Sequence, residues 1–409
     1  MSTLLALLGA AFLVGAVAAC SDLEADAPAP PAEAEAPPDT LDLEADGGEI
    51  AMAPADVERL VAEDPLWAEA LRIHYDALVV DGHVDTPTLM VDRGYALAER
   101  HRRDHLDLPR MAEGGLDAAF FSIFVSRHYG EGQAATDRAL ALIEEVGRQV
   151  SETDGAEIAR TAGDVRAIRA RGRRAVLLGL EGGHALQGSR EVLRMLAGNG
   201  VRYVTLTHTN TNAWADASTD AARWGGLNDL GRDLVREMNR LGMLVDLSHV
   251  SDRTFFDALE VARAPVILSH SSCRALHRHA RNVSDEMLAA LPANGGVIMV
   301  NFYDAFVGAG RVDLDDVLDH IDHAVGVAGV DHVGLGSDFD GVPSLPVGLE
   351  DVTKLPWITH GLLARGYSEA DVRKILGGNA MRVLEAAERV ASRFRDLEVE
   401  PIPPRPPAI

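Results

Sequence analysis

From about residue 55 the chain alternates short apolar runs with longer stretches of helical periodicity. The apolar runs lie at 77–82, 118–125, 175–180, 203–207, 243–247, 265–268, 296–301 and 332–336. Each has the length and composition of a buried strand. Residues 56–76 carry Leu60, Val61, Leu66, Leu71 and Ile73 at helical spacing, and helix-like segments follow at 133–150, 189–197, 230–241, 253–261, 285–291 and 314–327. Eight strands alternating with helices predict an α/β fold with a parallel sheet. Eight is also the count that closes a (β/α)8 TIM barrel. An open, doubly wound sheet is the alternative, weakened because no Gly-rich phosphate loop follows the first strand.

The polar residues that end these runs carry the chemistry. The first run ends in His83-Val84-Asp85. Strand side chains alternate, so His83 and Asp85 point the same way. The third run ends in Glu181, followed by Gly182-Gly183-His184. The next three end in His208, His249 and His270, and the eighth in Asp338 within Gly336-Ser337-Asp338-Phe339-Asp340-Gly341. Barrel active sites lie at the C-terminal ends of the strands, so six such ends converge on one mouth.

His, Asp and Glu without thiolates suit zinc, with manganese, iron or cobalt as alternatives. Five ligands exceed the three that one catalytic zinc usually takes from protein. A bridging carboxylate resolves the excess. His83 and Asp85 would hold one ion, His249 and His270 a second, and Glu181 both. His184 and Asp340 read as supporting residues rather than ligands. A second His-X-Asp, His105-Leu106-Asp107, follows Arg102-Arg103-Asp104 and reads as surface or loop. His277, Arg278, His279 and Arg281 form a basic cluster that is either a solvated loop or an anion clamp beside the mouth.

Composition narrows the partners. With 47% hydrophobic residues over 409 positions, a sizeable core is possible. A net charge of -25 excludes the basic face that nucleic acid needs. Two cysteines, Cys20 and Cys273, make no disulfide framework. Residues 3–19 are almost wholly apolar and end Val17-Ala18-Ala19 before Cys20, which resembles the cleavage site of a bacterial lipoprotein with a signal peptide at 1–19, although no Lys or Arg precedes it. A lipidated Cys20 is expected, which would anchor the protein to a membrane at the extracytoplasmic face of a bacterial cell envelope. Residues 20–50 then form a disordered spacer: positions 21–48 hold nine acidic residues, five prolines and no basic residue. The folded domain is expected at 55–395 and a Pro-rich tail at 396–409.

Residues 75–390 resemble the membrane (renal-type) dipeptidases, metallopeptidases of the amidohydrolase superfamily. The matching stretches are Asp81-Gly82-His83-Val84-Asp85, Glu181-Gly182-Gly183-His184, Leu206-Thr207-His208, Asp246-Leu247-Ser248-His249, Ser269-His270-Ser271-Ser272, Arg281-Asn282-Val283 and the stretch around Asp338, with Gly348-Leu349-Glu350-Asp351-Val352 and Gly378-Asn379-Ala380 further on. The resemblance implies two zinc ions on the ligand set above. It also implies that Asp338 handles protons, that His208 stabilises the tetrahedral intermediate and contacts substrate, and that Arg281 meets the substrate's C-terminal carboxylate. Dipeptides of L,L and L,D configuration would be hydrolysed by a metal-bridging hydroxide, and a homodimer is implied as an option. The framework cysteines of animal members are absent.

Two rival functions follow. One is another amidohydrolase, acting on lactams or N-acyl amino acids. Phosphotriesterase-like sites use a lysine bridge from the fourth strand, and the chain's lysines, Lys354 and Lys374, both follow the eighth run. The other is a catalytically silent, tethered binding protein, against which the complete ligand set and Asp338 argue.

Overall fold

The computed structural model describes residues 50–399, with side chains to 394. The leader, Cys20, most of the spacer and most of the Pro-rich tail fall outside the described residues. Among the described residues no helix is long and apolar enough to cross a membrane.

The strands are β1 (Val80–Val84), β2 (Ala118–Phe124), β3 (Ala156–Ile158), β4 (Arg174–Glu181), β5 (Val201–Thr205), β6 (Leu244–Asp246), β7 (Ile267–Ser271), β8 (Val297–Val300) and β9 (Val333–Leu335). All pairings between these strands are parallel, and β4 through β9 join in sequence before β9 meets β1. β2 pairs with β1 on one side and with β4 on the other, residue for residue from Ala118–Ala175 to Phe124–Glu181. That last pairing closes an eight-stranded barrel. β3 lies outside it, against the first residues of β4. The eight expected strands are therefore all present, and β3, only three residues long, is an addition to them.

Strand alternation sorts the core into two layers. Phe120, Leu177, Tyr203, Ile267, Val297 and Met299 belong to one buried cluster, and their neighbours Phe121, Leu178, Val204, Leu268 and Ile298 to the larger one shared with the helices. Burying each such side chain contributes roughly 1.5–3 kcal/mol. Gly179 gives the Tyr203 ring its place, since a Cβ there would lie 2.0 Å from Cζ of that ring.

The amphipathic stretch at 56–76 forms two helices, Pro54–Glu63 and Leu66–Asp76, rather than one. Pro65 disfavours helical backbone at the residue before it. Asp64 is extended accordingly, and its carboxylate accepts from Leu66 N at 3.0 Å.

A long connection from β5 to the helix Asp229–Leu241 crosses the C-terminal end of the barrel. Buried Asp216 gathers it by accepting from the backbone N–H groups of Arg223, Trp224 and Gly226. Ala217 bridges to Val250, and Ser218 N donates to the carbonyl of His249 at 2.8 Å.

Candidate metal centre

His83, Asp85, Glu181, His249 and His270 meet at the C-terminal mouth, all buried. His83 Nε2 lies 3.2 Å from Asp85 Oδ2 and 3.4 Å from Glu181 Oε2. Glu181 Oε1 lies 3.0 Å from His249 Nε2 and 3.5 Å from His270 Nε2, and those two nitrogens are 2.9 Å apart. The two oxygens of Glu181 thus face two different groups of donors.

Each strand end is shaped to deliver its candidate ligand. Buried Asp81 accepts from the backbone N–H of His83 at 3.0 Å and of Ser337 at 2.9 Å, which ties the end of β1 to the segment after β9. Asp246 plays the same part across the barrel. It accepts from Ser248 N, the residue before His249, and from Ser269 N, the residue before His270. His249 (φ 69°) and Asp338 (φ 66°) occupy the left-handed region that residues other than glycine enter at a cost. In both cases backbone hydrogen bonds hold them there: Ser218 N to His249 O, and Asp338 N to His83 O at 3.0 Å. The outer ring nitrogens of His83 and His270 are also fixed. His83 Nδ1 is 2.7 Å from the Tyr203 hydroxyl, and His270 Nδ1 is 2.8 Å from Ser269 Oγ, which donates to Asp246 Oδ2.

This cluster fits divalent metal binding. Its inner atoms are imidazole nitrogens and carboxylate oxygens crowded together with no Lys or Arg among them, the donor set of zinc-like ions. Asp85 Oδ1 and His249 Nδ1 are buried without a hydrogen-bond partner. Burial, with Arg281 and His208 nearby, pulls the His249 imidazole well below its usual range, and burial with His83 and Arg281 does the same to His270. Both rings are therefore neutral with a lone pair to offer. Burial pushes the Glu181 carboxyl up, but His83, His208, His249 and His270 outweigh it and hold the group well below the usual range.

The cluster forms the floor of a cavity of about 590 Å³. Asp338 enters from the β9 side. Burial, reinforced by Asp85 and Glu181, pushes its carboxyl up to about 7, while His83 and a hydrogen bond from Asn301 act the other way. Asn301 Nδ2 donates to Asp338 Oδ2 at 2.8 Å. His208 is half-buried, its Nε2 3.8 Å from Glu181 Oε1 and its ring edge-on to Phe124 at 4.8 Å. Arg281 is buried in the wall. Its Nη2 donates to the carbonyl of His270 at 3.0 Å, while Nε and Nη1 have no acceptor. Burial lowers its guanidinium to about 10, which leaves it charged at neutral pH.

Of the basic cluster at 277–281, Arg281 and His279 line the cavity and Arg278 is exposed elsewhere. His184 is buried outside the three candidate metal groups. Asp340 reaches the wall with its oxygens already taken, by the Thr86 hydroxyl at 2.6 Å and by His105 N at 2.6 Å. The second His-X-Asp is in a loop, but Asp107 is fully buried, which the surface reading did not anticipate. Sequence reading also gave no role to Tyr203, Asn301, Asp246 or the rim residues Phe124, Arg127, Tyr303 and Phe306. Asn301 closes the seventh expected run, so the rule of polar strand ends reaches it.

The profile of the family Membrane dipeptidase (Peptidase family M19) matches residues 67–398. Dipeptidase tcpJ of Claviceps purpurea (strain 20.1) is 40% identical over 342 residues, covering 81% of this chain and 77% of that protein. Dipeptidase verJ of Clonostachys rogersoniana is 36% identical over 360 residues, covering 83% and 92%. Among solved structures, a metallo peptidase from Rhodobacter sphaeroides liganded with a phosphinate mimic of the dipeptide L-Ala-D-Ala superposes with a TM-score of 0.70 at 28% identity, over 76% of this chain and 100% of the other.

Proposed function

The chain belongs to the membrane dipeptidase family of metallopeptidases, and from that premise we propose that it hydrolyses dipeptides with two zinc ions, one held by His83 and Asp85, the other by His249 and His270, and both by Glu181. The observation that carries this reading is the division of Glu181, with Oε2 toward His83 and Oε1 toward His249 and His270. When bound, the ions polarise the scissile carbonyl and make water nucleophilic near neutral pH.

The side chains around them do the rest. Arg281 leaves Nε and Nη1 without an acceptor inside the protein, charged N–H donors for the free carboxylate of a dipeptide. This contact sets where the peptide bond lies over the floor. His208 donates to the carbonyl oxygen as it gains negative charge, an interaction that in comparable sites stabilises by about 3 kcal/mol. Asp338, with Oδ2 held by Asn301, keeps Oδ1 to take a proton from the attacking water and return it to the leaving amine. The dipeptide-mimic complex of the Rhodobacter relative supports acceptance of L-Xaa-D-Xaa alongside L-Xaa-L-Xaa. The small residues before Cys20 support cleavage and lipidation there, which would hold the enzyme on a bacterial membrane outside the cytoplasm.

The test is zinc-loaded hydrolysis of L-Ala-L-Ala and L-Ala-D-Ala, with metal content measured on the same samples. Asp338→Asn is expected to lose on the order of 10²–10⁴ in kcat with its metal retained. His249→Ala is expected to lose metal as well as turnover. A fully metallated wild type inert to both dipeptides would refute the reading.

A further inference from the structure

The metal ligands and Arg281 account for the floor and one wall of the cavity. The opposite wall holds a charge they do not use. Around the barrel the strands run β1, β2, β4, β5, β6, β7, β8 and β9, so β2 and β7 are four places apart in either direction and face each other across the mouth. Arg281 follows β7. Arg127 follows β2, three residues beyond Phe124, and lines the same cavity.

Arg127 is exposed, and its guanidinium has no hydrogen-bond or ion-pair partner among the described residues. The other charges on the wall are committed. Asp85, Glu181 and Asp338 belong to the floor, Asp340 is held by Thr86 and His105, and Arg281 awaits the substrate's carboxylate. The Arg127 turn is itself anchored: Ser126 accepts from His128 N, and Glu131 Oε2 accepts from Ala213 N at 2.9 Å.

A dipeptide with its carboxylate at Arg281 and its peptide bond over Glu181 directs its amino-terminal residue toward the β2 rim. Two extended residues span at most about 7 Å, so a side chain extends a dipeptide's reach beyond its backbone toward the rim. We propose that Arg127 determines specificity by selecting dipeptides whose amino-terminal residue carries a side-chain carboxylate. The proposal rests on the dipeptidase reading above and on Arg281 as the carboxylate clamp. Phe124, which lines the same cavity, supplies an apolar surface for the methylene stem of such a residue, which favours glutamate over aspartate.

The experiment compares kcat/KM for L-Glu-L-Ala, L-Gln-L-Ala and L-Lys-L-Ala in the zinc-loaded wild type, Arg127→Gln and Arg127→Glu. The wild type is expected to prefer L-Glu-L-Ala over L-Gln-L-Ala by about fivefold, the scale of an exposed ion pair, with the difference in KM and diminished by salt. Arg127→Gln brings that ratio close to one, and Arg127→Glu shifts preference to L-Lys-L-Ala. A reversal of charge preference is a result that a merely structural role for Arg127 does not produce. Turnover of all three substrates with the same Glu/Gln ratio in wild type and Arg127→Gln overturns the proposal and leaves the dipeptidase reading intact. No turnover of any of them by metallated wild type overturns both.

Discussion

Of the chain's four His-X-Asp tripeptides, two have a buried aspartate, at 83–85 and at 105–107. In the second copy every polar atom of the carboxylate has a donor. Asp107 Oδ1 accepts from Arg110 N at 2.8 Å, and Oδ2 from Arg110 Nε at 2.7 Å and His101 N at 2.9 Å. His105 turns its backbone N–H and its Nδ1 to Asp340 and so bolts its loop to the segment after β9. In the first copy no arginine answers the carboxylate. Asp85 Oδ1 is left without a partner, and His83 Nε2 faces two carboxylates. Residue type does not separate the two. What separates them is whether the fold satisfies the buried lone pairs internally or leaves them converging on a point where a cation can sit.

That contrast can be broken at either end. The largest effect is expected at the first site. Glu181→Gln removes the one carboxylate that both ion positions share, and activity should fall by on the order of 10³ or more with metal content down in parallel, read by elemental analysis on the purified protein. Asp107→Asn, at the bolt, should leave metal content as in wild type. Next is Arg110→Met, which strips Asp107 of its cation. An unpaired buried carboxylate costs roughly 3–5 kcal/mol, so the urea midpoint should drop sharply while kcat per folded molecule holds. If Arg110→Met instead lost metal without losing stability, the division of labour between the two copies would be wrong.

Tyr203→Phe probes the support behind His83. Losing the hydrogen bond at Nδ1 should weaken metal affinity by about tenfold, measured by chelator competition, with little change in thermal stability. The smallest effect concerns His74, a buried histidine with no carboxylate beside it, hydrogen-bonded to Thr359 Oγ1 and the carbonyl of Gly114. Burial lowers its pKa from 6.5 to about 4. The folded pKa lies below the unfolded one, so the stability it contributes is present above pH 6.5 and is lost as pH falls from 6.5 toward 4. Between pH 6.5 and 5.5 that loss is about 1 kcal/mol, and His74→Asn should flatten the urea midpoint over this interval. An unchanged slope would show that His74 takes up protons equally in the folded and unfolded states.

Much of the barrel and its metal cluster was legible because both rest on local patterns. Each barrel strand is a short apolar run, and a polar residue at its end has one place to go in a closed parallel barrel. Tyr203 escaped because it reads as one more strand aromatic, and its partner His83 is 120 residues away. β3 escaped because three residues, one of them Glu157, make no apolar run. The second His-X-Asp was read as surface because charged residues flank it. Asp107-Leu108-Pro109-Arg110 also spells a capped helix start with Pro near the first turn, and Asp107 is indeed the N-cap of the helix Leu108–Glu113. Arg127 carries no pattern at all; only the arrangement of strands around the barrel puts it opposite Arg281.

The left-handed backbone at His249 sets two kinds of selection against each other. Glycine or asparagine would sit more easily in that conformation, so a library screened only for heat tolerance would drift toward them at this codon. On the proposed ligand role of His249, a library screened for turnover would hold histidine there despite the strain. Position 249 is therefore one where a stabilised scaffold and a working catalyst are different proteins.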